Sequence, residues 1–258
     1  MSESITYTPG HVVWRELMTH NVTAAKAFYG KLFGWQFNDI TMQDGQAYTM
    51  VTTPTGKEVA GIMAAPTGTD DMPPVWYSYV SVPDVDACAK RVTDAGGTVV
   101  QGPQDIPGQG RFVAFTDPQG ALSCAFTSVL GDAPHDPKAK PGTGEFCWEH
   151  LNSTDPQGAT SFWSQVYPWT LAEWHGQQVF NAPDDCGAVS LSEAPEGTPS
   201  HMATYVVVDS LATAQTQLTE LGGQHLMGPL PVAHIGFFSV ITDPQGAMLC
   251  LFEPKAQE

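Results

Sequence analysis

The chain has 258 residues, enough for two cores, and its 42% hydrophobic and 10% aromatic content is ordinary for a folded globular protein. Its 27 acidic residues against 10 basic ones leave a formal net charge of −17. Such a surface repels phosphate backbones and anionic lipid, which argues against nucleic acid and membrane partners; it favours a cationic ligand, or simply solubility.

The first ten residues show no basic region followed by an apolar stretch, so no signal peptide is expected, and no apolar run approaches the ~20 residues that span a bilayer. Residues 12–18 read as a strand. Asn21 is then a plausible N-cap for a helix whose apolar residues Ala24, Ala27, Phe28 and Leu32 recur at helical spacing, and Gly34 closes it. Strands follow at 35–40, 47–53 and 59–64, separated by Asp-Gly and Thr-Gly turns. The order then repeats: a strand at 76–82, a helix at 85–95 closed by Gly96-Gly97, and strands around Val99, at 112–115 and at 122–127. The Asp117-Pro118-Gln119-Gly120 segment is a turn by its chemistry.

The same text recurs further along the chain. Phe28-Tyr29-Gly30-Lys31-Leu32-Phe33-Gly34-Trp35 returns as Phe162-Trp163-Ser164-Gln165-Val166-Tyr167-Pro168-Trp169, 134 residues on, and Trp14 meets Trp148 at the same offset. Thr116-Asp117-Pro118-Gln119-Gly120-Ala121 returns unchanged as Thr242-Asp243-Pro244-Gln245-Gly246-Ala247, at an offset of 126, together with Gly-Gly at 222–223 and Gly-Pro at 228–229. The second copy is therefore eight residues shorter between these blocks. A proline- and glycine-rich stretch at 132–142 reads as a linker between domains at 1–131 and 143–258. Four βαβββ modules fit, two per domain, in an α+β protein. Five cysteines (Cys88, Cys124, Cys147, Cys186, Cys250), odd in number and without Cys-x-x-Cys spacing, predict a reduced, cytoplasmic protein without a disulfide framework or a structural zinc site.

A βαβββ module with Phe-Tyr and Gly-Trp at its first helix and Asp-Pro-x-Gly before its last strand resembles the glyoxalase/bleomycin-resistance/extradiol dioxygenase (vicinal oxygen chelate) superfamily, over nearly the whole chain. The resemblance implies tandem domains with cup-shaped mixed sheets, helices outside and a ligand inside. It also implies a divalent metal held by His, Gln or Glu. Counting from the motifs puts the three ligand positions at Trp14, Tyr77 and Cys124 in the first domain and at Trp148, Met202 and Cys250 in the second. Indole offers a metal no lone pair, and neither set resembles the carboxylate–imidazole pattern a hard metal takes.

Strand alternation aligns Trp14, Glu16 and Met18 on one face, and Trp148, His150 and Asn152 on its counterpart. By the resemblance these faces look into the cups, joined by Leu122, Cys124 and Phe126 and by Met248, Cys250 and Phe252. Trp14 and Trp148 are either stacking surfaces or plain core. Glu16 is a candidate base or a cation contact, or else it is bonded to Arg111 or Arg15; His150 is a candidate acid or base, or a hydrogen-bonded structural histidine. Cys124 and Cys250 fit better as small apolar fillers than as nucleophiles. The favoured reading is a monomeric or weakly dimeric binder of a small, largely apolar or aromatic molecule, with no cofactor and without the family's usual metal. The alternative is a lyase, isomerase or dioxygenase with an atypical acid/base site or a divalent metal on His201, His150 and Glu16.

Overall fold

A computed structural model describes residues 5–43, 45–69, 71–136, 138–232 and 234–255. The first four residues, Asp44 of the expected Asp-Gly turn and Pro137 of the expected linker lie outside the described residues.

Four βαβββ modules follow one another. The first is β1 (Val12–Thr19), α1 (Val22–Phe33), β2 (Gln36–Thr41), β3 (Ala47–Thr52) and β4 (Glu58–Ala64). The second is β5 (Val75–Ser81), α2 (Val85–Asp94), β6 (Thr98–Ile106), β7 (Gly110–Thr116) and β8 (Leu122–Ser128). The third comprises β9 (Phe146–Ser153), α3 (Pro156–Val166), β10 (Thr170–Trp174), β11 (Gln177–Asn181) and β12 (Gly187–Glu193). The fourth comprises β13 (His201–Val207), α4 (Leu211–Glu220), β14 (Gln224–Val232), β15 (Gly236–Thr242) and β16 (Met248–Pro254). Two open eight-stranded sheets result, in the orders β2-β3-β4-β1-β5-β8-β7-β6 and β10-β11-β12-β9-β13-β16-β15-β14. Each is mixed: β1 runs parallel to β4 and β5 to β8, while the hairpin pairs are antiparallel.

Every helix begins on a side-chain cap at the same point of its module. Asn21 accepts from the Ala24 amide at 3.0 Å, Asp84 from Ala87 at 2.9 Å, Asp155 from Gly158 at 2.9 Å and Ser210 from Thr213 at 3.3 Å. Gly34 ends α1 at φ +71°, a conformation that favours glycine. The buried stripe of α1 is Ala25, Phe28, Tyr29, Leu32 and Phe33, whereas Ala24 and Ala27 are exposed. The expected stripe was thus one position out at its start, because alanine is small enough to sit on either face.

The chain divides into two compact units, and each draws one module from either sheet. One contains residues 1–14, 77–139 and 149–202; the other contains 15–76, 140–148 and 203–258. In the first, Phe162, Trp163, Tyr167 and Trp169 bury against Val80, Phe115 and Val92. In the second, Phe28, Tyr29, Phe33 and Trp35 bury against Trp76, Leu218, Ile241 and Leu249. The repeated aromatic block of one copy therefore meets the Asp-Pro-Gln-Gly turn of the other. Trp163 Nε1 donates to Asp117 Oδ2 at 3.1 Å, and the Tyr29 hydroxyl donates to Asp243 Oδ2 at 3.1 Å. The other oxygen of each aspartate takes turn amides: Gln119 and Ala121 on Asp117, Gln245 and Ala247 on Asp243. The most exact repeat in the sequence is thus an architectural anchor. The last tryptophan of each block is also tied: Trp169 Nε1 to the Gly10 carbonyl at 2.8 Å and Trp35 Nε1 to the Gly144 carbonyl at 2.7 Å.

Candidate functional site

Helices cover only one face of each module, and the opposite face carries the candidate residues. In the first unit Tyr79, Phe112, Ala114 and Cys124 form a small buried cluster, with Trp14, Tyr77, Ile106 and Phe126 packed on it half-buried. Tyr79 meets Phe112 and Phe126 edge-on, both at 6.2 Å between ring centres. The three expected first-copy positions, Trp14, Tyr77 and Cys124, are therefore brought to one aromatic face. Cys124 is 2% exposed within it, the placement of an apolar filler.

The second unit holds the counterpart. Ala203, Tyr205 and Cys250 are buried, and Cys147, Trp148, Phe238, Val240, Met248 and Phe252 pack on them. Trp148 and Cys250 are where the sequence placed them. Met202 is not: it packs against the helix-side core of the first unit. The count from the motif slipped because it began at Asp209, whereas the cap equivalent to Asp84 is Ser210. Tyr79 pairs with Cys124 and Tyr205 with Cys250, so the counterpart of Tyr77 is Ala203.

Polar residues occupy the same faces at β1 and β9, and the two copies differ there in a coordinated way. Glu16 lies opposite Gly61 and Met18 opposite Met63, whereas His150 lies opposite Ser190 and Asn152 opposite Ser192. Glu16 is only 6% exposed. A Cβ at Gly61, beside it, would meet the Tyr48 phenol, which would have to move aside. Arg111, a suggested partner for Glu16, is instead held by Asp86 and Asp105 at 2.8 Å each on an exposed face. His150 is gripped at both ring nitrogens, Nδ1 by Ser190 Oγ at 2.5 Å and Nε2 by Ser192 Oγ at 2.8 Å. Burial, reinforced by His201 nearby, depresses its pKa to about 4, so the ring is neutral at pH 7. His201 Nδ1 contacts the Pro199 carbonyl at 2.8 Å, which sets that nitrogen as the donor and leaves Nε2 to accept from Asn152 Nδ2 at 3.2 Å. His150, Asn152 and His201 thus sit together in the first unit, while Glu16 belongs to the other.

At the expected metal positions on these faces, two indoles, a phenol and two buried thiols, with Ala203 where Met202 was expected, do not fit the family's divalent metal. Two surface depressions lie on helix surfaces away from these faces. One, of about 460 Å³, is lined by Pro156, Thr160, Leu171 and Gln178, and the other, of about 330 Å³, by Lys31, Gln217 and Glu220. Among the described residues, no helix is long and apolar enough to cross a membrane.

Comparison with known proteins agrees with this architecture. Residues 8–124 match the family described as Glyoxalase/Bleomycin resistance protein/Dioxygenase superfamily, and residues 149–252 match the Glyoxalase-like domain. The chain is 31% identical over 98% of both sequences to the Mycobacterium bovis protein named "Putative glyoxylase CFP32". It is 35% identical to the Anthracycline biosynthesis protein DnrV of Streptomyces peucetius, over 96% of this chain and 94% of that one. Among solved structures, the Mn(II)-bound glyoxalase from Novosphingobium aromaticivorans superposes with a TM-score of 0.62 at 19% identity, covering 97% of this chain and 83% of that one. The 2,3-dioxygenase LapB from Pseudomonas sp. KL28 superposes with a TM-score of 0.57 at 15% identity, covering 99% and 95%; at these identities both share the fold alone. The chain belongs to the glyoxalase/bleomycin resistance/dioxygenase superfamily, as a tandem duplication of its domain.

Proposed function

We propose that this protein binds a small, flat, largely apolar aromatic molecule against the helix-free faces of its sheets, without the divalent metal usual in its family. The observation that carries this reading is the aromatic face of the first unit, where Trp14, Tyr77 and Cys124, at the positions where the resemblance expects ligands to a metal, gather with Tyr79 and the half-buried Phe126. Such rings offer stacking energy of roughly 0.5–1.5 kcal/mol per aromatic pair beyond the area they bury. A site of this kind takes its selectivity from few polar contacts. The name of the Streptomyces relatives, anthracycline biosynthesis proteins, points to the same ligand class, that of fused aromatic rings. In this reading the protein is cytoplasmic and works as a monomer or weak dimer. A hydroxylated anthraquinone titrated into the protein, with chelator present throughout, tests it. Saturable quenching of tryptophan fluorescence supports the proposal, and no binding of any flat aromatic probe rejects it.

A second reading, acid/base catalysis in the second copy, is favoured by the His150–Asn152–His201 group. In that reading His201 is the working base and His150, locked between two serines, is a positioning residue. Turnover abolished in His201→Gln with ligand binding kept distinguishes it from the first.

A further inference from the structure

A separate cluster lies outside both aromatic faces, within the first unit. His11 begins the segment leading into β1, His135 comes from the stretch after the first copy, and Asp184 sits in the turn between β11 and β12. Their ligand-capable atoms all lie within 4.8 Å of one another, and His11 Nε2 is 3.0 Å from Asp184 Oδ2. The two imidazoles are nearly face to face, with ring centres 3.9 Å apart and planes 33° from parallel.

Local structure explains how segments so distant in sequence meet. Asp132 Oδ2 accepts from the Thr8 amide at 2.7 Å and from Ser81 Oγ at 2.5 Å, and the Asp132 amide donates to the Thr6 carbonyl. The start of the linker is thereby fastened beside residues 6–8, and His135, three residues on, reaches His11. His11 itself is buried, 8% exposed, and its backbone is held by Thr8 and Ser81. Asp184 is oriented too: its Oδ1 accepts from the Cys186 amide at 3.2 Å, which leaves Oδ2 aimed at the histidine. Asp185, at φ +62°, makes the tight turn that presents the carboxylate.

We propose that His11, His135 and Asp184 form a binding site for a divalent first-row transition-metal ion of the zinc, cobalt or nickel type. Two imidazole nitrogens and one carboxylate oxygen are the donors such ions prefer over calcium or magnesium, which take oxygen alone. Around a tetrahedral ion with bonds of about 2.0–2.1 Å, donors stand roughly 3.3–3.5 Å apart, and the three present donors already lie within 4.8 Å of one another. The Cys186 amide on the carboxylate is the outer hydrogen bond that metal sites commonly use to aim a ligand. Three protein donors leave a fourth position for water. The bound ion ties the stretch after the first copy to a turn of the second. This site is independent of the aromatic faces and of the binding function proposed above.

The test is a Co(II) titration of tag-free protein followed by visible absorption, with Zn(II) competition. One equivalent is expected to bind, with tetrahedral Co(II) bands that Zn(II) removes. His135→Gln and Asp184→Asn, both at exposed positions, are expected to weaken binding at least about tenfold with the circular dichroism spectrum unchanged. His201→Gln is expected to bind as the parent does. No saturable uptake overturns the proposal, as does uptake that survives both exposed-site variants or that disappears in His201→Gln.

Discussion

The Tyr29 hydroxyl donates to Asp243 at 3.1 Å, joining the first helix of the chain to its last turn across 214 residues. Trp76 in turn donates to Tyr29 at 3.1 Å, and burial, then the nearby Asp243, holds the phenol well above its ordinary pKa, so it stays a donor. Trp163 and Asp117 repeat the arrangement in the other unit. The duplicated Asp-Pro-Gln-Gly motif is thus the place where each unit joins its two modules.

Removing this anchor should be costly. Asp243→Ala orphans two turn amides and takes the acceptor from the buried Tyr29 hydroxyl, and Asp117→Ala orphans two amides and an indole. Each is expected to lose about 1–3 kcal/mol or more, the range for a buried polar group left unsatisfied. Urea unfolding measures it. A loss within about 0.5 kcal/mol, as for an ordinary surface change, would contradict the anchoring role.

The second glycine of each Gly-Gly pair is predicted to be intolerant for a packing reason. A Cβ on Gly97 would stand 2.7 Å from the Phe162 ring and from the Thr116 carbonyl, and one on Gly223 would stand 2.8 Å from the Thr242 carbonyl and 3.1 Å from the Phe28 ring. Gly97→Ala and Gly223→Ala should each destabilise by about 1–3 kcal/mol through overpacking. Gly142→Ala, whose Cβ would meet only Glu145 at 3.8 Å, should be near neutral. Thermal melts of the three variants check the contrast.

Acid should loosen the second copy through His150. Its folded pKa of about 4 lies below the ordinary value of 6.5, so between these values the unfolded chain binds a proton that the folded chain refuses. Stability from this group is complete above about pH 6.5 and is lost as pH falls toward 4, reaching about 2 kcal/mol at pH 5. Replacing the ring by His150→Asn should flatten the pH dependence of the urea midpoint between pH 5 and 7. An unchanged slope would show that the ring does not carry it.

Much of the fold was legible because the repeats state it: Asn21 and Gly34 bracket the first helix, the recurring blocks carry the same module into the second copy, and the strands fall between the turns that glycine and aspartate mark. Which copy's helix packs on which copy's turn was not legible, since hydrophobic period tells which face is buried and not what covers it. Met202 went astray for a related reason: a one-residue slip in a strand exchanges its faces. Arg111 is held by Asp86 of α2 and Asp105 of β6, partners that strand alternation alone does not reveal. His11, His135 and Asp184 have no motif spacing at all; only tertiary structure brings them together.

The measurement that bears most directly on the proposed function is a paired titration of a hydroxylated anthraquinone, in the presence of chelator, against the parent protein and its Trp14→Ala and Trp148→Ala variants. Saturable binding to the parent that weakens about tenfold or more in at least one variant, a loss of about 1.4 kcal/mol, is the predicted result. Binding that requires added metal, or that both variants retain at parental affinity, would contradict an aromatic, metal-independent site.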